Sequence, residues 1–340
     1  MIVVAVIYFL FDSLLQAGFF KGIDNQSKMD LVTTIRDVWG PEDLDWDREN
    51  NMLYISSTNR WEKNRGNLQE SDGIYFLKTD DESLIPQKMS VDLPGEFHPH
   101  GISFFTLNGT SFMYVVNHTT AYNSVELFEI DTDKLIHKET FKGGLLTSPN
   151  DVVGDEIGKF YVTNDHGNTT AKGKMVEDYL RMPYSFLLYY DGSAFKKAHK
   201  GMVYANGVQF SNDGSKVYTS HTIGKEVYVL DRKRETGMLI LKHTVAFDSG
   251  LDNLDVDENG VVWVAAHPKL LDFQAHANDS TQNSPSQIFR MDFENGKYKI
   301  QKVYENDGSQ ISGSSVVVVK DNTAFVGCVF EDKILKMILN

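Results

Sequence analysis

The chain has 340 residues, 41% hydrophobic and 12% aromatic, a composition that supplies a packed core and argues against extended disorder. Its 47 acidic against 33 basic residues leave a net charge of −14, which repels phosphate backbones, disfavours a nucleic-acid partner and makes cation binding easier. The single cysteine, Cys328 in the apolar run AFVGCVF, rules out an intrachain disulfide and argues against thiol catalysis.

In chain order, residues 2–11 (IVVAVIYFLF) form a short apolar run ended by Asp12, too brief to cross a bilayer unaided. Residues 1–21 therefore read as a hydrophobic signal or anchor segment. It would place the protein outside the cell or in a lumen, secreted or membrane-associated, and offer a route to membrane or lipid-surface association. A basic stretch before the run is missing, so a packed N-terminal helix stays open as an alternative. Sequons agree with secretion: Asn25, Asn108, Asn168 and Asn278 are candidate glycosylation sites, whereas Asn117 falls inside an expected strand.

From residue 22 to 340 the chain reads as one domain built from a repeat. Glu42, His100, Asn150, Asn206, Asn253 and Ser314 each precede a hydrophobic hairpin, at intervals of 58, 50, 56, 47 and 61 residues. An aromatic follows each at 10 to 14 residues: Tyr54, Tyr114, Tyr161, Tyr218, Trp263 and Phe325. The hairpins alternate polar and apolar residues around tight turns, as in VQF-SNDG-SKVYTS. A third strand follows in each unit, at 73–78, 124–130, 185–190, 225–230, 286–291 and 333–339. Units of this kind are blades, and the expected fold is all-β, a six-bladed β-propeller with a central cation-binding channel. KMDLVTTI at 28–35 would supply the outer strand of the last blade and zip the ring shut. Of the connectors, 171–184 (AKGKMVEDYLRMPY) carries Met175, Tyr179 and Met182 at helical spacing, either a lid over the channel mouth or a helix packed on the disc.

In such a ring the residues opening the first strands converge on the axis, and the second strands return His118, His166, His221 and His267 to the same mouth. Any one asparagine before a strand is commonly a turn former, and a lone histidine is commonly structural, the reading kept for His98, His137, His199, His243 and His276. The matched placement is what points to a site. Glu42, Asn150, Asn206, Asp252 and Asn253 offer only oxygens, two of them charged, which suits Ca2+ over zinc or magnesium. Such an ion can polarise an ester carbonyl, while His100 and His118 are placed to pair as base and orienting partner.

These motifs together resemble the paraoxonase (serum paraoxonase/arylesterase) family. The resemblance rests on EDL at Glu42, HPHGIS around His100, VVNH ending at His118, SVELFEI at 124, NDVV at Asn150, TNDH at 163, ANG at Asn206, LDN at Asp252 and HP at His267. It implies calcium-dependent hydrolysis of lactones and aryl esters on a small-molecule substrate, and leaves activity on phosphotriesters open. It implies two calcium ions: a catalytic one on Glu42, Asn150, Asn206, Asp252 and Asn253, and a structural one on Asp43, Asp151 and the carbonyl of Ile102. Asp43 and Asp151 each follow a first-site residue, so alternate side chains of one strand could serve stacked ions. The resemblance further makes His100 and His118 catalytic, with Asp165 and His267 in support. The family's disulfide between the chain ends has no counterpart here, so closure must depend on strand pairing. Two other readings keep the propeller: a non-catalytic chaperone or assembly factor, and a gluconolactonase-type sugar-lactone hydrolase.

Overall fold

Six antiparallel sheets follow one another along the chain, and the computed structural model describes residues 2–67 and 69–340 of it. Met1, and Leu68 in the 59–72 connector, lie outside the described residues. Blade 1 comprises Pro41–Asp47, Met52–Ser57, Gly73–Lys78 and Gln87–Lys88, and blade 2 comprises Pro99–Leu107, Thr110–His118, Asn123–Asp131 and Lys134–Phe141 with Ser90–Asp92 added in parallel outside. Blade 3 is Pro149–Glu156, Lys159–Asn164, Ser185–Tyr190 and Phe195–Met202, and blade 4 is Ala205–Phe210, Lys216–His221, Glu226–Lys233 and Met238–Ala246. Blade 5 is Gly250–Val256, Val262–His267, Ser286–Glu294 and Lys297–Asn306, extended by Gln26–Ser27. Blade 6 takes Ser314–Lys320, Thr323–Cys328 and Lys333–Leu339 from the C-terminus, and Met29–Arg36 from the N-terminal side.

The six-bladed propeller expected from the repeat is thus the observed fold. Its closure is the strand pairing expected for 28–35: Met29 lies opposite Leu339 and Arg36 opposite Lys333. The innermost strands neighbour one another around a complete ring, blade 6 against blade 1 included.

Each sheet buries both faces, so the core is divided among the six seams between blades. The periodic aromatics explain the division. Tyr54, Tyr114, Tyr161, Tyr218, Trp263 and Phe325 are all buried, and each belongs to a different inter-blade hydrophobic cluster. One large ring per seam repeats the same packing solution six times. Nearer the axis, hydroxyls tie inner strands across seams: Thr58 Oγ1 donates to the Pro99 carbonyl at 2.8 Å, Thr163 Oγ1 to that of Asn206 at 2.5 Å, and Ser315 Oγ to that of Glu42 at 2.6 Å.

Among the described residues there are also four helices: α1 (Ile2–Gln16), α2 (Arg60–Asn64), α3 (Ala171–Leu180) and α4 (Leu270–Asn278). The last three occupy the same connector, between second and third strands, in blades 1, 3 and 5, so all stand on the face where the inner strands begin. α1 and the turn after it touch the ends of α3 and α4. The Leu270 amide donates to the Ala17 carbonyl at 2.9 Å, Gly18 packs on the Pro268 carbonyl, and Arg181 pairs with Asp12. Among the described residues no helix is long and apolar enough to cross a membrane.

α3 is helical as its spacing predicts, capped by Thr170, whose hydroxyl accepts from the Gly173 amide at 3.1 Å. The residues at helical spacing are not the ones that hold it to the disc. Met175 and Tyr179 are both 52% exposed, Met182 falls beyond the helix, and the residue α3 buries is Glu177. Glu177 accepts from the backbone amides of Gly167 at 3.0 Å and Asn168 at 2.6 Å, so hydrogen bonds rather than apolar burial hold this helix down.

Candidate active site at the propeller mouth

The inner strands bring their opening residues to one end of the channel. Glu42, Asn150, Asn206, Asp252 and Asn253 are each at most 5% exposed. Asn253 Nδ2 donates to Glu42 Oε1 at 3.0 Å, Asn206 Nδ2 donates to Thr222 Oγ1 at 3.0 Å, and Asp252 Oδ2 meets His267 Nε2 at 2.7 Å. The amide nitrogens of Asn206 and Asn253 are thereby engaged and their oxygens left over. Glu42 Oε2, Asn150 Oδ1, Asn206 Oδ1 and Asn253 Oδ1 are buried and accept no hydrogen bond. A buried oxygen without a partner costs roughly 1–3 kcal/mol, so four of them opening the inner strands of blades 1, 3, 4 and 5 form a donor set that fits a hard cation. Among the described residues no three His, Cys, Asp or Glu side chains form a metal-holding group, so an ion here would depend on the amide oxygens.

One residue further along, Asp43 and Asp151 are 5% and 4% exposed. Burial, then the neighbouring carboxylates, push both well above the usual carboxylate range. Their oxygens take backbone amides instead of a counter-charge: Asp43 Oδ2 accepts from Ile102 at 2.7 Å, and Asp151 Oδ2 from Val208 at 2.7 Å. Gly101 makes this spacing possible, because its Cα lies close against the backbone of Asn150 and Asp151. Of the residues expected to share a second ion, Asp43 meets Ile102 through the latter's amide, and Asp151 lies against Gly101.

His100 and His118 meet as the spacing predicts, with Nδ1 of the first 2.9 Å from Nε2 of the second. Their tautomers follow from the surroundings. Asn123 Nδ2 faces the carbonyls of Leu146 and Thr147 at 3.4 Å, which leaves Asn123 Oδ1 to accept from His118 Nδ1 at 2.8 Å. Burial, with the charges of His100 and Lys63, depresses His118 to about 3, so it is neutral and its Nε2 accepts from His100 Nδ1–H. His100 Nε2 then faces Glu42 Oε2 at 3.3 Å. Burial opposes ionisation of Glu42, but His100, Arg60 and Asn253 outweigh it and hold the carboxyl at about 2.

Two of the other expected supports differ. His267 does join the centre, stacked on Phe273 at 4.0 Å between ring centroids. Asp165 is instead committed to its neighbour, 2.6 Å from His166 Nδ1, while His166 Nε2 lies 2.9 Å from Asp178 of α3. His221 is fully buried, edge-on to Tyr228 at 4.2 Å, with neither ring nitrogen hydrogen-bonded, and Ser314 Oγ is also unpartnered. Of the sequons, Asn117 is buried with its amide holding the His98 backbone at 2.9 Å and the Glu96 carbonyl at 3.1 Å. Asn25, Asn108, Asn168 and Asn278 are exposed, although Asn168 Nδ2 is bonded to Glu177.

The His166 cluster makes the attachment of α3 sensitive to pH. Burial works against its proton, but the hydrogen bonds the ring donates to Asp165 and Asp178 outweigh this and raise it from 6.5 to about 9. Because the folded value is the higher, the contribution is complete below about pH 6.5 and disappears as pH rises through 9. Between pH 7 and 10, amide exchange across residues 171–180 is expected to accelerate while the blade strands stay protected; uniform protection across that range would refute the link.

Several side chains at this mouth carry no repeat signal. Lys63 Nζ donates to the His118 carbonyl at 3.0 Å, and Tyr204, in a left-handed conformation (φ 59°) just before Asn206, sits edge-on to His166 at 4.9 Å. Trp61, Phe330 and Phe273 extend an aromatic wall outward from His267, with centroid distances of 5.5 Å and 5.9 Å along it. Arg60 approaches Glu42 Oε2 to 3.6 Å.

Unpartnered oxygens and a paired histidine thus meet at the mouth of a six-bladed propeller, and comparison with known proteins gives the chain a family. The arylesterase family model matches residues 69–336. The chain is 31% identical to serum paraoxonase/arylesterase 2 of Gallus gallus over 302 residues, 86% of this chain and 84% of the relative. It is 30% identical to human serum paraoxonase/arylesterase 1 over 303 residues with the same coverage. The chain belongs to the arylesterase family. Among solved structures, a gluconolactonase from Xanthomonas campestris superposes with TM-score 0.55 at 14% identity, covering 94% of this chain and 96% of that one. A regucalcin from Agrobacterium tumefaciens, described as a calcium-binding protein, gives 0.53 at 10%, covering 94% and 95%. These two share the propeller fold.

Proposed function

We propose that the protein hydrolyses lactones and aryl esters, the reaction class of its family, at this mouth and with calcium. The observation that carries the reading is the set of four buried, unpartnered oxygens on Glu42, Asn150, Asn206 and Asn253 beside the His100–His118 pair. Those four residues and Asp252 would hold the catalytic ion; Asp43, Asp151 and the Ile102 carbonyl would hold a structural one, offsetting two carboxylates that burial disfavours. When bound, the first ion would polarise the substrate carbonyl and neutralise charge developing on its oxygen.

The chain's own residues supply the rest. With a cation on Glu42 Oε2, His100 is no longer needed as that carboxylate's counter-charge, and its Nε2 would then be free to take a proton from the attacking water, while His118, neutral and fixed by Asn123, orients the ring. His267 holds Asp252 in place through the 2.7 Å contact. The wall of Phe273, Phe330 and Trp61 accepts the apolar part of an ester or lactone and excludes water there. Exhaustive dialysis against EGTA is expected to remove bound calcium and abolish turnover of phenyl acetate and of a δ-lactone together, with readdition restoring both. Full activity in metal-depleted protein would overturn the mechanism.

The same face supports association with a lipid surface and, with it, a secreted or extracellular site of action. Exposed Ile7, Leu10, Phe11, Phe19 and Phe20 of the N-terminal segment lie beside exposed Met175, Val176, Tyr179 and Leu180 of α3, joined through Arg181 and Asp12. Flotation with phosphatidylcholine vesicles is the test: recovery is expected to fall at least fivefold in F19S/F20S/Y179S, and equal recovery would dismiss the role.

A further inference from the structure

Arg60 is the least expected side chain at the mouth. A strongly basic group stands where the donor set calls for an added cation, and it is nearly buried, with 14% of its side chain exposed. Its place is built for it. Nη1 lies 3.2 Å from the Gly40 carbonyl and 3.4 Å from those of Thr58 and Val329, three backbone groups that meet where blade 6 closes onto blade 1. Gly40 is left-handed (φ 54°), and a Cβ there would come within 2.4 Å of the Thr58 carbonyl, 2.8 Å of the Val329 carbonyl and 3.2 Å of Arg60 Nη1. The guanidinium is thus seated in a cradle only glycine leaves open, with Nη2 turned to Glu42 Oε2 at 3.6 Å, the one unpartnered oxygen of the four that bears a charge. Guanidinium suits this task because it is planar, keeps its proton and donates along several directions at once.

We infer that Arg60 is a resident counter-ion for Glu42: it keeps the oxygen cage assembled before a cation arrives, and its charge sets how tightly that cation is then held. The inference rests on the cation reading of the site. Without a cation, Glu42 is a buried carboxylate whose charge is offset by Arg60 and His100, and loss of either leaves it under-compensated. With a divalent ion at Glu42 Oε2, the guanidinium becomes a like charge held close by by three carbonyls, and its repulsion weakens binding. One residue therefore stabilises the empty cage and loosens the filled one. The consequence is a site that survives calcium loss and refills, rather than one that collapses.

The test substitutes Arg60→Met, similar in reach and uncharged, and Arg60→Lys, which keeps the charge, with proteins purified in calcium. Calcium affinity is measured by chelator competition, and thermal midpoints are read in calcium and after depletion. In R60M, calcium is expected to bind at least tenfold tighter, while the metal-free midpoint falls below that of the parent. R60K is expected to stay within threefold of the parent affinity. Unchanged or weaker binding in R60M, an unchanged metal-free midpoint, R60K as tight as R60M, or failure of R60M to fold even in millimolar calcium would each overturn the assignment. Absence of calcium binding by the parent protein would instead overturn the cation reading beneath it.

Discussion

His100→Gln is expected to lower kcat/KM for lactone and aryl-ester hydrolysis by about 10²–10⁴-fold, the usual contribution of a positioned base. Glutamine retains a donor for the His118 and Glu42 contacts, so the pair is unmade chemically with little change in shape, and the thermal midpoint should move little. The change should fall on kcat, because what is lost is proton removal in the transition state and not substrate binding. His118→Gln is expected to cost less. His118 has both ring nitrogens engaged, one with Asn123 and one with His100, so it holds the His100 ring and has no nitrogen left for a water. The double variant should be no slower than H100Q, since groups acting as one unit do not lose independently. If H118Q proved the more damaged of the two, the roles of the pair would have to be exchanged.

Gly101→Ala is expected to be the most disruptive single-methyl change at the site. The added Cβ would lie 2.4 Å from Asp151 Cα, 2.5 Å from its Oδ1 and 2.7 Å from the Asn150 carbonyl. The obstacle is mostly backbone of the neighbouring inner strand, which is held by its own sheet and cannot swing aside. Overpacking of this kind typically costs about 1–3 kcal/mol, and here it also displaces Asn150 and Asp151. Denaturant midpoints should drop accordingly, and bound calcium should fall with them. Gly144→Ala serves as the control, because nothing lies within 4 Å of its Cβ, and it should stay within about 0.5 kcal/mol. Equal stability of G101A and the parent would mean that the inner strands can separate without harm.

Much of this molecule was legible in one dimension because its plan is periodic. Polar and apolar residues alternating around tight turns specify hairpins locally, and six recurrences with one large aromatic each specify six seams. The same period aligned Glu42, Asn150, Asn206 and Asn253 and returned His118, His166, His221 and His267 to one end. The motif from Glu42 to His267 was enough to identify the family.

Residues without a place in the repeat were not legible. Arg60, Lys63, Asn123, Tyr204 and Trp61 lie in connectors or at strand edges, and their neighbours are set by where three or four loops converge. Spacing also could not tell that Asp165 would bond His166, one residue away, and not the His100–His118 pair. For α3 the helical period was correct, yet the face turned inward was the one bearing Glu177, because two unpaired amides at Gly167 and Asn168 offered more than another apolar contact.

What the sequence by itself determined was therefore the set of blades and the rank of residues opening them, since both follow from short-range alternation and from intervals along the chain. The tertiary structure alone decided which partner each of those residues keeps. Closing a ring brings Glu42 to Asn253 and Arg60 to Val329, more than two hundred positions apart, and the angle between neighbouring sheets, which no local pattern encodes, fixes those meetings.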